Sequence, residues 1–149
     1  MLLVIGYGSK LHSDDSFGRI IAEKLQEQMV DPSVETLSLN QLTPECAETI
    51  SRASSVVFVD ASTLLPPGEL SFRRIDQSIE LATLYSNSST HHCQPEVILQ
   101  LCLTLYGRMP RAWLCTIGAE SLALGESLSP CIEAGIPEVM SLLLELSQC

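Results

Sequence analysis

The stretch Leu2-Leu-Val-Ile-Gly6-Tyr-Gly8-Ser9-Lys-Leu11-His12-Ser-Asp14-Asp15-Ser16-Phe17-Gly18 sets the fold of this chain. Its apolar run, Leu2–Ile5, stops at Gly6 and Gly8, as a short strand buried on both faces does. From Phe17 the period changes. Phe17, Ile20, Ile21 and Leu25, with Met29 beyond them, fall on one helical face, and Glu23, Lys24, Glu27 and Gln28 on the other. A strand passing through a glycine loop into an amphipathic helix is the first half of a βαβ unit. The loop begins like a dinucleotide fingerprint, but the third glycine of GxGxxG would fall at Leu11. A bulky side chain there obstructs both the helix–strand contact and a pyrophosphate, and the adjacent Asp14 and Asp15 repel a phosphate. A nucleotide is disfavoured.

On either side of the loop the same alternation of periods continues. Asp31-Pro32 ends the first helix, and Val34–Leu39 reads as a second strand. Thr43-Pro44-Glu45 resembles a cap with proline in the first helical turn, opening a short helix to about Ala53. Ser55–Asp60 (Ser-Val-Val-Phe-Val-Asp) is β-branched, uncharged until its end, and closed by a carboxylate. Pro66-Pro67-Gly68 turns the chain into Glu69–Ile75, which alternates as an edge strand does. Asp76–Thr90 is polar and serine-rich and reads as a surface loop. Pro95–Leu105 reads as a helix closed by Gly107 and Pro110, Arg111–Ile117 as a strand broken by Gly118, and Pro137–Leu146 as a last helix. Strand and helix in alternation imply a mainly parallel twisted sheet covered on both faces, a three-layer α/β/α domain spanning 1–149. Right-handed crossovers favour a flavodoxin-like order with 2-1-3 at the centre, and the Glu69–Ile75 edge is free to run antiparallel. Ligands of such sheets sit beyond the carboxyl ends of the strands, where the order reverses.

Composition removes several classes of function. The chain has 149 residues, 46% of them hydrophobic, and carries a formal charge of −10. That acidity is the wrong footing for a nucleic-acid backbone or an anionic membrane surface. No uncharged apolar stretch reaches the ~18 residues of a membrane span, and no basic segment precedes the first apolar run as in a signal peptide. Six cysteines (46, 93, 102, 115, 131 and 149) show no CxxC and no regular framework. Cys102 and Cys115 lie in apolar runs and read as core thiols. A reducing cytoplasm is the expected compartment, and a monomer the expected state.

The chemistry therefore rests on the loop and the strand ends. One of Asp14 and Asp15 is expected to cap the first helix; the other is left free, facing the reversal point. Asp60 is as often a turn-former bonded to its own backbone as a functional group. Its place beside the first strand raises the second reading, because Asp15 and Asp60 then converge across the crevice. Adjacent histidines are ordinarily a solvated pair or a cap. Beside two carboxylates, one imidazole of His91 or His92 completes an N/O₂ set for a divalent transition metal. No GxSxG elbow and no HExxH occurs. His12 reads as exposed and outside the set.

In this arrangement the chain resembles the maturation endopeptidases of [NiFe] hydrogenases. The first loop matches their GxGNxLxxDDGxG pattern from Gly6 to Gly18, with Ser9 in place of the usual asparagine and Ser16 in place of the usual glycine. The strand ending at Asp60, Thr90-His91 ahead of a helix, and Gly125-Glu126-Ser127-Leu128-Ser129-Pro130 follow in the family's order. The resemblance implies an endopeptidase that removes a C-terminal extension from the nickel-loaded precursor of a hydrogenase large subunit. It implies that Asp15, Asp60 and His91 contact the nickel carried by that substrate, His92 being the neighbouring choice of register, and that the free enzyme holds no metal tightly. Either carboxylate is then available as a base. A binding module that senses the metal or the precursor without cutting it is the alternative, and a nucleotide-binding module a more distant one.

Overall fold

The computed structural model describes residues 1–28, 31–77, 94–125 and 127–148. Five strands, β1 (Leu2–Tyr7), β2 (Val34–Leu39), β3 (Ser55–Ser62), β4 (Leu70–Arg74) and β5 (Arg111–Gly118), form one sheet in the order β2-β1-β3-β5-β4. The first four in that order are parallel, and β4 runs antiparallel along β5 at the edge. The 2-1-3 centre and the antiparallel edge are as the sequence implied. The helices are α1 (Phe17–Gln28), α2 (Cys46–Ser51), α3 (Pro95–Tyr106), the single turn α4 (Pro130–Glu133) and α5 (Ile136–Ser147). The turn at Pro130 was not expected from the sequence, and α2 begins after the proposed Thr43 cap, with Glu45 preceding it and no side-chain cap. The segment read as a serine-rich loop, and both His91 and His92, lie outside the described residues apart from Asp76 and Gln77.

Strand alternation builds two cores. Leu3, Ile5, Val56, Phe58 and Ala112 face α2 and α3, while Leu2, Val4, Val57, Val59, Cys115 and Ile117 face the α1 and α5 side. All are buried, so both faces of the central strands are apolar, the pattern of a parallel sheet covered on both sides. Cys46, Cys102 and Cys115 are buried free thiols. Burial pushes Cys102 up to about 11 and Cys115 up to about 12, which leaves both as inert packing groups.

On the α2/α3 face the apolar pattern ends abruptly. Ile5, Phe58 and Leu114 are neighbours across β1, β3 and β5. One step nearer the carboxyl ends, the same face carries Tyr7, Asp60, Thr116 and Ser71, with Asp60 opposite Thr116 and Thr116 opposite Ser71. This polar row is the sheet's contribution to the site. β1 pairs with β3 only as far as Gly6 and Val59. β3 itself continues two residues past Asp60, to Ser62, because β5 still pairs with it there. Asp60 therefore does not end its strand, as the sequence suggested; it stands where β1 parts from β3, while β1 still pairs with β2 at Tyr7.

Two glycines bring the loop and α1 this close. A Cβ on Gly18 would lie 2.1 Å from the Val59 carbonyl oxygen and 2.9 Å from Tyr7 backbone atoms. Gly18 thus performs the helix–strand contact for which position 11 has no glycine, and Leu11 is exposed instead. Gly8, at φ +143, would place a Cβ 1.8 Å from the Asp15 carbonyl oxygen. The glycine loop wraps the chain's own backbone, and the room that a pyrophosphate requires is taken.

Candidate active site

Asp14 and Asp15 sit in a 3-10 turn, Ser13–Ser16, directly before α1, and point in different directions. Neither forms a side-chain cap; the position before the turn is His12, with no capping bond. The expectation that one of them caps the helix is therefore corrected. Asp14 is fully buried and accepts four hydrogen bonds: from the backbone N–H groups of Glu120 (2.9 Å), Ser121 (2.9 Å) and Ser129 (2.7 Å), and from the Ser129 hydroxyl (2.8 Å). Burial alone would raise its pKa, but the bonds from Ser129, Ser121 and Glu120 outweigh that and hold it below the usual value. Asp14 is the clasp between the first loop and the loop before α4. Backbone bonds from Ser13 to Gly125 and from Gly125 to Leu11, at 2.8 and 2.9 Å, close the same seam.

Asp15 accepts the Ser9 N–H at 2.8 Å and is only partly buried. It opens into a crevice of about 400 Å³ lined by Tyr7, Gly8, Ser9, Asp15, Asn40, Gln41, Leu42, Asp60, Gln94 and Pro95. Asp60 faces the same crevice from β3. The carboxyl ends of β1, β2 and β3 and the start of α3 thus meet at the order reversal, with two carboxylates between them. Among the described residues no cationic side chain lines this cavity, and no group of three or more His, Cys, Asp or Glu is placed to hold a metal ion.

Asp60 is the perturbed group. Burial pushes its pKa from 3.8 to about 7; the nearby Asp15 charge adds to the rise, while the Ala61 N–H (2.8 Å to Oδ1) and the Tyr7 hydroxyl oppose it. Tyr7 is held well above its usual value, chiefly by burial and then by the charge of Asp60. A carboxyl group titrating near neutrality, in a cleft and beside a second carboxylate, suits proton transfer or a cation.

A second cavity of about 430 Å³ adjoins the first, sharing Tyr7, Asp60, Gln94 and Pro95 and adding Ser71, Arg73, Leu114 and Thr116. Tyr7, Asn40, Gln41 and Gln94 were missed in the sequence. Tyr7 was detectable as the next inward position after Leu3 and Ile5, whereas the others only flank strand or helix ends. His12 is exposed, its Nδ1 2.8 Å from the Ser9 hydroxyl, and does not line the crevice. The two departures in the loop are accommodated. Ser9 Oγ accepts the Leu11 N–H at 3.3 Å, and the buried Ser16 donates to the Ser13 carbonyl at 2.7 Å.

No family model and no curated protein sequence matches the chain. Solved structures do. The hydrogenase maturating endopeptidase HybD of E. coli superposes with a TM-score of 0.80 at 25% identity, covering 99% of this chain and 91% of that one. An endopeptidase solution structure from the same organism gives 0.74 at 25% identity, covering 97% and 90%. The [NiFe] hydrogenase maturation protease HycI of Thermococcus kodakarensis gives 0.75 at 24% identity, covering 99% and 92%, a likeness of fold. The class of protein this fold is shared with is that of the endopeptidases. More particularly, the chain resembles the hydrogenase maturation endopeptidases along nearly its whole length, not in the first loop alone. Among the described residues no helix is long and apolar enough to cross a membrane.

Proposed function

We propose that the chain removes a C-terminal extension from the nickel-loaded precursor of a [NiFe] hydrogenase large subunit, reading the nickel through Asp15, Asp60 and one imidazole, His91 or His92. The observation that carries this reading is the pair of carboxylates facing one crevice without a cationic side chain among its described lining residues. A site of that kind is unbalanced until a cation enters it. In the proposal the cation arrives with the substrate, so the free protein, a monomer in the reducing cytoplasm, binds no metal tightly.

Nickel seated beside the scissile bond polarises the peptide carbonyl and lowers the pKa of an attacking water. One carboxylate takes a proton from that water as its oxygen bonds to the carbonyl carbon. The C–N bond then breaks and the proton passes to the departing amine. In the free protein burial and the Asp15 charge hold Asp60 near 7; the arriving cation favours its ionised form, the form a base requires. The test is incubation with nickel-loaded and nickel-free precursor, followed by mass. Loss of the extension is expected only from the loaded form, and not with Asp15→Asn or Asp60→Asn. An intact loaded precursor, under conditions where a control peptidase processes it, overturns the proposal.

A further inference from the structure

We propose that Tyr7 is a positioning residue for Asp60, a role that rests on the reading of the crevice given above. Leu3, Ile5 and Tyr7 project from one face of β1, and Leu3 and Ile5 lie opposite Val56 and Phe58 of β3. Continuing that row by two residues sets Tyr7 beside Asp60, at the point where β1 parts from β3. The ring of Tyr7 packs against the core cluster of Leu3, Ile5 and Phe58, and its side chain lines the same two cavities as Asp60, which directs the hydroxyl to the Asp60 side of the crevice. A tyrosine suits this task because its body is anchored by apolar contacts and few torsions remain to be ordered. The Ala61 N–H, 2.8 Å from Oδ1, donates to Asp60 from the backbone. Backbone and phenol together fix the direction of a carboxylate that the remaining crevice leaves unrestrained. Tyr7 and Asp60 also line both cavities, so the tyrosine holds Asp60 at the junction of the two.

Tyr7→Phe isolates this role, since it removes one oxygen and keeps the ring in the core. With nickel-loaded precursor, kcat is expected to fall about tenfold or more, a misplaced catalytic group costing up to about a hundredfold, with KM little changed. A crystal structure of the variant is expected to show the Asp60 carboxylate rotated or spread over two positions. Unchanged kcat in a variant of an active parent, or a rise in KM alone, overturns the proposal. So does an Asp60 orientation identical to that of the parent. If the parent itself leaves the loaded precursor intact, the peptidase reading fails, while the crystal structure still decides whether Tyr7 orients Asp60.

Discussion

Ionising Asp60 costs the folded protein stability, and the cost has a predictable pH window. In the unfolded chain this carboxyl titrates near 3.8; in the fold it titrates near 7. The folded state therefore binds the proton more tightly. The stabilisation this provides is complete below pH 4, is lost as pH rises towards 7, and is absent above it. The gap of about three units, at 1.36 kcal/mol each, sets a ceiling of about 4 kcal/mol. Asp60 faces an open crevice, so water reduces the realised figure to roughly 1–3 kcal/mol. Asp60→Asn removes the charge yet retains an oxygen for the Ala61 N–H and the Tyr7 hydroxyl. Thermal melts of both proteins in chelator, from pH 4.5 to 8.5, should show the variant gaining on the parent as pH rises. At roughly 2–4 °C per kcal/mol for a chain of this size, the advantage at pH 8 is about 2–12 °C. The same substitution should abolish processing, the combination expected of a residue kept for chemistry at the expense of stability. A melting difference that is flat with pH, or that favours the parent at high pH, refutes the reasoning, because the carboxylate would then be stabilised as an ion.

Asp14 should behave in the opposite way. Asp14→Ala leaves three part-buried backbone N–H donors without their acceptor and should lower urea stability by about 2–3 kcal/mol; a loss under 1 kcal/mol would show that the clasp is not needed. Its stabilising contribution, unlike that of Asp60, is present above the unfolded pKa and fades as pH falls. Two glycine variants separate close approach from turn conformation. Gly18→Ala, driven into the Val59 carbonyl, should fail to accumulate as folded protein. Gly107→Ala, at φ +69 with nothing within 4 Å, should cost only about 1 kcal/mol. Similar denaturation midpoints for the two would contradict the assigned contact.

Elements whose formation depends on near neighbours were legible in the chain itself. The change of period at Phe17, the β-branched run before Asp60 and the prolines and glycines at helix ends reflect local sterics and the burial of one face. Each is written in residues a few positions apart, and the alternation order then leaves few topologies. The placing of Asp15 and Asp60 at one edge followed from the same logic. Contacts between distant segments were not legible in this way. Two adjacent aspartates look equivalent in sequence, yet one is buried against Ser129, 115 positions away, and the other opens to the crevice. The mistaken cap arose there, because a local rule was applied to a residue whose partners are remote. The same holds for the third glycine, which the sequence suggested at position 11 and the fold supplies at Gly18. Periodicity alone therefore determined which face each residue occupies. Only the tertiary structure decided which faces meet, because the cross-strand row of Tyr7, Asp60, Thr116 and Ser71 exists only once four separated strands have paired in register.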